Sequence, residues 1–170
     1  MEIGDKLRAL SGVAERLNRE GVTYAVGASA MLYLRGIADS FNDIDLTVAL
    51  EDAPRAEAVL RSLGTMAPPE QHVHYLTRCF LEFEVEGVEV DLIAGMVIES
   101  NGVAHDCPLR PEDIDETAVV NGTAVPVHSL ACWKHYYTLM RRAEKAALID
   151  RAADSASKSG EANPTGEQKP

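Results

Sequence analysis

Two aspartates separated by one isoleucine, Asp43-Ile44-Asp45, open the apolar run Leu46-Thr47-Val48-Ala49-Leu50. Side chains alternate along a strand, so both carboxylates share one face while Ile44, Leu46 and Val48 take the other. Like charges held side by side repel and lose hydration, a costly arrangement without a compensating cation. Magnesium suits the pair, because it takes oxygen ligands and commonly uses one or two carboxylates together with substrate phosphate. A third acid, Asp91 in Val88-Glu89-Val90-Asp91-Leu92, lies on another β-like run, with Glu89 at the same parity as the fallback third acid. If that strand pairs beside the first, three acids converge. The plain alternative is an exposed strand edge carrying scattered acids.

The surrounding pattern is that of one α+β domain. Ile3, Leu7, Leu10, Val13 and Leu17 recur at helical spacing over 3–20, and Gly21 stops the helix. A short buried strand over 23–26, a helix over 29–34 and a loop over 35–42 lead to the strand over 43–50. Pro54 opens a helix that ends at Gly64, and 65–71 reads as a loop. The runs 74–86 and 88–94 form a hairpin across Glu86-Gly87, and 117–120 and 123–127 form another across Asn121-Gly122. Residues 99–116 read as irregular. Ser129 caps a single final helix over 130–151, and 152–170, without any large apolar residue, reads as a disordered tail. The expected domain is therefore 1–151.

Upstream of the acid pair, Val26-Gly27-Ala28-Ser29-Ala30 joins a strand to a helix. Backbone N–H groups at such a junction can hold phosphate, and Ser29 adds a hydroxyl. A lone Gly-x-Ser is a weak signal. Strand, Gly-x-Ser, helix, loop, Asp-x-Asp on a strand and a later strand Asp form a far more specific series.

On Gly27-Ala28-Ser29, Asp43-Ile44-Asp45 and Val90-Asp91-Leu92, the chain resembles the nucleotidyltransferase superfamily with the polymerase-β-like fold, over about residues 20–150. It looks most like the small bacterial "minimal" group, which includes abortive-infection toxin relatives and aminoglycoside and lincosamide nucleotidyltransferases. The stretch Val125-Pro126-Val127-His128-Ser129-Leu130 and the helix after it also resemble small members of that group. The middle position of the Gly-x-Ser turn, often Gly in the family, is Ala28 here.

The resemblance implies a small mixed β-sheet flanked by helices, with a C-terminal helix. It implies that Asp43, Asp45 and Asp91 are the metal and catalytic residues for one or two Mg²⁺ ions. Gly27, Ala28 and Ser29 would then hold the phosphates of a nucleoside triphosphate, ATP by resemblance. A nucleoside monophosphate would pass to a hydroxyl of a small molecule, protein or RNA, with release of pyrophosphate. Lys134, Arg142 and Lys145 on the last helix are candidate nucleotide-binding cations; the plain alternative is a solvated helix face. Arg35 could reach phosphate or pair with Asp39.

Several rival readings carry less. Asp43-Ile44-Asp45-Leu46-Thr47 superficially matches the Asp-x-Asp-x-Thr of haloacid-dehalogenase phosphatases, but there an apolar strand precedes the acids, whereas here it follows them. Glycosyltransferase Asp-x-Asp domains usually need more chain. Cys132 and His135 alone cannot make a zinc site, so Cys132 reads as core, as do Trp133, Tyr136, Leu139 and Met140. His72 and His74 share a strand face without a third ligand at zinc-like spacing. A second hypothesis keeps the fold without turnover, as a nucleotide-binding or regulatory module such as a toxin–antitoxin component.

Composition bears on partners. With 16 Lys+Arg against 27 Asp+Glu the formal charge is −11, which argues against a general nucleic-acid surface but not against a metal-bound nucleotide. No apolar run approaches a membrane span of roughly 18 residues. The first residues do not read as a secretory signal, and three widely spaced cysteines suit a reduced cytoplasm. A partner protein or homo-oligomer could complete acceptor recognition.

Overall fold

A computed structural model describes residues 1–68 and 76–161. The elements run α1 (Ile3–Arg19), β1 (Tyr24–Gly27), α2 (Ala28–Leu34), β2 (Ile44–Val48), α3 (Ala53–Leu63), β3 (Thr65–Met66), β4 (Cys79–Val85), β5 (Val88–Ala94), β6 (Val97–Ser100), β7 (Val103–Asp106), β8 (Ile114–Val120), β9 (Thr123–His128), α4 (Leu130–Leu139) and α5 (Ala143–Glu161). Seven strands form one mixed sheet in the order β3-β4-β5-β2-β1-β9-β8, while β6 and β7 make a separate hairpin. β2 runs parallel to β5 and β1 parallel to β9; the other pairs in the sheet are antiparallel. This is the mixed α+β architecture that the element pattern implies.

Strand alternation separates the two faces. Val26, Ile44, Leu46, Val48, Val90 and Leu92 pack with Leu10, Val13 and Leu17 of α1 and Val59 and Leu60 of α3 in the larger core. Truncating one of these leucines to alanine costs about 2–5 kcal/mol, through lost transfer energy and the cavity left behind. A second cluster joins Met31 and Leu32 of α2 to Ile93, Ile98, Trp133, Tyr136, Tyr137 and Ile149. The acids of β2 and β5 lie on that second side.

Three differences from the sequence reading have physical causes. First, residues 99–116 are not irregular: Asn101-Gly102 turns β6 into β7 with φ of 52° and 75°. It uses the same chemistry as Asn121-Gly122, where φ is 48° and 80°. Its flanking strands lack the clean apolar alternation that marks a strand. β8 also begins earlier than expected, at Ile114.

Second, the single helix expected over 130–151 is two. The N–H of Arg141 bonds the Thr138 carbonyl at 3.1 Å and that of Arg142 bonds Tyr137 at 2.8 Å, with Arg141 at φ 59°. This is a left-handed helix cap of the kind that α1 makes with Gly21 and α2 with Gly36. The Arg141 guanidinium also hydrogen-bonds the side chain of Asn101 in the β6–β7 turn.

Third, α5 continues past residue 151 to Glu161, within the segment read as tail. Ala152, Ala153 and Ala156 are strong helix formers that extend a helix already anchored by buried Ile149. The rest of that tail lies outside the described residues, as do His72 and His74.

Candidate functional site

The register of three strand pairs sets the site. In β1–β2 Gly27 faces Asp45, in β2–β5 Asp45 faces Asp91, and in β5–β4 Asp91 faces Glu82. Gly27, Asp45 and Asp91 therefore stand in one row across the sheet. Asp43, just before β2, and Glu89 on β5 lie one alternation away on the same face. One carboxylate oxygen from each of Asp43, Glu89 and Asp91 falls within 4.8 Å of the other two.

The electrostatics follow from this crowding. Burial, then Asp43 and Glu89, push the Asp45 carboxyl up to about 7, opposed by Arg142. Burial, then Asp45, Glu89, Asp43 and Glu82, push Asp91 up to about 8. Glu89 is raised as well, by burial and by Asp43 and Glu82. Asp91 is 7% exposed, and its Oδ1 is buried without a hydrogen-bond partner among the described residues. An orphaned carboxylate oxygen among other acids is what a cation would satisfy, and an all-oxygen donor set fits a hard ion such as Mg²⁺.

A cleft of about 680 Å³ opens over these acids. Ala28 and Ser29 of α2 line it with Asp43, Asp45 and Asp91, as do Tyr137 of α4, Arg142 of the turn that follows and Lys145 of α5. The left-handed cap at Arg141 brings Arg142 there, with its guanidinium 5.8 Å from the Tyr137 ring centre. The Ser29 hydroxyl donates to Asp43 Oδ1 at 3.5 Å. Ala28 sits at φ 48°, an uncommon region for a residue with a Cβ.

Gly27 has a use that its motif does not suggest. A Cβ at this position would lie 2.4 Å from Cζ2 of Trp133, so the indole packs directly on the glycine backbone. Trp133 also lines the cleft. Helical spacing marks Trp133 as core but carries no sign of this contact.

Most of the residues singled out in the sequence meet at the cleft. Lys134 does not line it: its ammonium pairs with Asp150 at 2.6 Å. Arg35 reaches neither phosphate site nor Asp39; it bonds Asp115, Glu116 and the His128 carbonyl at 2.5, 2.7 and 2.8 Å. Glu89, the fallback acid, lies inside the carboxylate cluster. Tyr137 is among the cleft residues that sequence reasoning missed, with Thr77, Phe80 and Met96.

No family model and no curated protein sequence matches the chain. Solved structures do. The protein TM1012 of Thermotoga maritima, assigned as a nucleotidyltransferase, superposes with a TM-score of 0.65 at 23% identity, covering 91% of this chain and 96% of that one. The enzyme ANT(2")-Ia, in complex with adenylyl-2"-tobramycin, gives 0.61 at 13% identity, covering 89% and 91%. The lincosamide antibiotic adenylyltransferase LnuA, lincomycin-bound, gives 0.53 at 14% identity, covering 84% and 95%. The chain thus has the nucleotidyltransferase fold. Among the described residues no helix is long and apolar enough to cross a membrane.

Proposed function

We propose that this protein is a Mg²⁺-dependent nucleotidyltransferase that moves a nucleoside monophosphate from a nucleoside triphosphate, ATP in the first instance, to an acceptor hydroxyl. The observation that carries the reading is the row Gly27–Asp45–Asp91 with Asp43 beside it, its three aspartates lining an open cleft that Arg142 and Lys145 also line.

In this reading Asp43, Asp45 and Asp91 hold the metal, which when bound would neutralise phosphate charge and polarise the phosphoryl group. Ser29 and the turn at Ala28 contact the outer phosphates. Arg142 and Lys145 add positive charge across the cleft, and Asp91 orients the acceptor hydroxyl. The hydroxyl oxygen forms a bond to the α-phosphorus and the bond to the β-phosphate oxygen breaks. Pyrophosphate leaves, and the hydroxyl proton passes to a carboxylate or to solvent. Positioning and charge neutralisation supply the catalysis.

A small-molecule hydroxyl acceptor is favoured by the antibiotic-modifying neighbours, and an acidic cleft suits a cationic one. The single domain expected over 1–151 leaves acceptor recognition to β6–β7, α4–α5 or a partner subunit. A cytoplasmic setting matches the need for triphosphate and the three free thiols.

The test is incubation of the full chain with each α-labelled nucleoside triphosphate, Mg²⁺ and fractionated cell extract, following label transfer and pyrophosphate. Metal-dependent transfer that Asp45→Asn lowers by at least about 10²-fold supports the reading; full transfer by that variant overturns it. Ala28, which puts a methyl at the middle of the Gly-x-Ser turn with φ 48°, favours a second reading, a nucleotide-binding module without turnover. Calorimetric binding of the Mg²⁺–triphosphate complex with no pyrophosphate on any acceptor would select it.

A further inference from the structure

A second ligand set lies away from the carboxylate row. Asp113, in the turn before β8, His128, the last residue of β9, and Cys132, in the first turn of α4, each place one ligand atom within 4.8 Å of the other two. Asp113 lies well upstream of the other two, while His128 and Cys132 stand four residues apart across the β9–α4 junction.

Each member is already oriented. The Arg110 N–H donates to Asp113 Oδ2 at 3.1 Å, leaving Oδ1 to face the Cys132 thiol at 3.5 Å. The Cys132 N–H bonds the Ser129 hydroxyl, which fixes the start of α4. The Thr47 hydroxyl donates to the Ala25 carbonyl at 3.0 Å, so it accepts from Nδ1 of His128 at 2.9 Å. That places the imidazole proton on Nδ1 and leaves the Nε2 lone pair free.

The His128 side chain is fully buried, and Nε2 has no hydrogen-bond partner among the described residues. Metal-binding histidines commonly show this arrangement, with the other ring N–H held by a second group that sets tautomer and orientation. Burial also holds the ring neutral, pushing it down to about 4.

We propose that Asp113, His128 and Cys132 form a binding site for a divalent transition metal of the zinc class, separate from the Mg²⁺ site. The donor set is one carboxylate oxygen, one imidazole nitrogen and one thiolate, a combination that suits zinc rather than magnesium. Zinc bonds of about 2.0–2.3 Å put tetrahedral ligand atoms roughly 3–4 Å apart, so small side-chain rotations close the set. Binding ionises the Cys132 thiol and releases its proton to solvent. The ion ties the start of α4 to β9 and to the turn before β8. Trp133, next in the chain to Cys132 and edge-on to the His128 ring at 6.0 Å, is thereby fixed over Gly27.

The test uses the reduced full chain in excess Mg²⁺, which occupies the all-oxygen site, titrated with Co²⁺ as a spectroscopic probe and with Zn²⁺. The expected result is a stoichiometric thiolate-to-cobalt charge-transfer band, displaced by Zn²⁺ and absent in Cys132→Ser. Asp113→Asn should weaken binding by at least about tenfold. Zn²⁺ should raise Tm of the parent chain and not of Cys132→Ser, whose fold is checked by circular dichroism. No band at stoichiometric Co²⁺, or a band that persists in Cys132→Ser, overturns the proposal. An equal Zn²⁺ effect on Tm in both proteins also overturns it. None of these readouts depends on nucleotidyl transfer, so failure here is distinguishable from failure of the proposed activity.

Discussion

Asp45 and Asp91 stand opposite each other across the parallel pair β2–β5, and burial among neighbouring acids raises the proton affinity of both. A carboxyl whose folded pKa lies above its unfolded value stabilises the fold below the unfolded value and loses that contribution as pH rises through the folded one. The metal-free protein should therefore lose stability between about pH 4 and pH 8, as Asp45 (about 7) and then Asp91 (about 8) ionise. Mg²⁺ should raise Tm more at pH 8.5 than at pH 6. Thermal melts at several pH values, with and without Mg²⁺, check this; a Mg²⁺ shift independent of pH would contradict it.

Replacing one member of the crowded row separates stability from activity. Asp91→Asn removes a buried carboxylate whose Oδ1 has no partner. At pH 8.5 without metal the variant should melt higher than the parent, by about 2–4 °C for each kcal/mol of repulsion relieved. It should lose transfer, and the Mg²⁺ effect on Tm should fall.

Gly27→Ala should destabilise the fold by about 1–3 kcal/mol, because the new methyl has no room under the Trp133 indole. Trp133→Ala alone should cost about 3–5 kcal/mol. The double variant should be more stable than the sum of the two predicts, since the second change removes the clash. Urea denaturation followed by circular dichroism measures the cycle; strict additivity would show that the contact carries no energy.

The cations on the last helices should divide by location. Arg142→Ala and Lys145→Ala should each lower kcat/KM for the triphosphate by about 10–100-fold, equivalent to roughly 1.4–2.7 kcal/mol of transition-state binding. Lys134→Ala should change it less than about twofold, because its exposed pair with Asp150 lies outside the cleft and is worth at most about 1 kcal/mol. Steady-state kinetics on the three variants decide the matter.

Arg35 joins the end of α2 to β8 and β9, with its side chain 11% exposed. Arg35→Ala should cost about 1–3 kcal/mol. Lys at this position should recover only part of that, since one ammonium cannot replace a planar fork serving Asp115, Glu116 and the His128 carbonyl. Denaturant midpoints of the two variants give the comparison.

The sheet and the acid row were legible because they rest on local rules. Alternation puts Asp43 and Asp45 on one face, Glu-Gly and Asn-Gly mark hairpins, and glycine marks the ends of α1 and α3. The break between α4 and α5 was not legible, because Arg141 occupies a left-handed position that glycine would have announced. Arg142 could be named from the sequence, but the turn that aims it could not. The β6–β7 hairpin carried its Asn-Gly signal, yet Glu99, His105 and Asp106 hid the strand pattern around it. Contacts between distant segments, such as Trp133 on Gly27 and Asp113 with Cys132, leave no trace in spacing.

The parallel pairings have a kinetic consequence. β1 meets β9 across roughly a hundred residues of chain, and β2 meets β5 only after α3 and β4 intervene, so the sheet centre closes through long loops that are slow to form. The acids come together when that closure completes. A cation that binds them has little to hold in the transition state if the row forms after it. Added Mg²⁺ should then lower the unfolding rate and leave the refolding rate nearly unchanged. Metal would serve as a clasp that keeps the finished sheet shut.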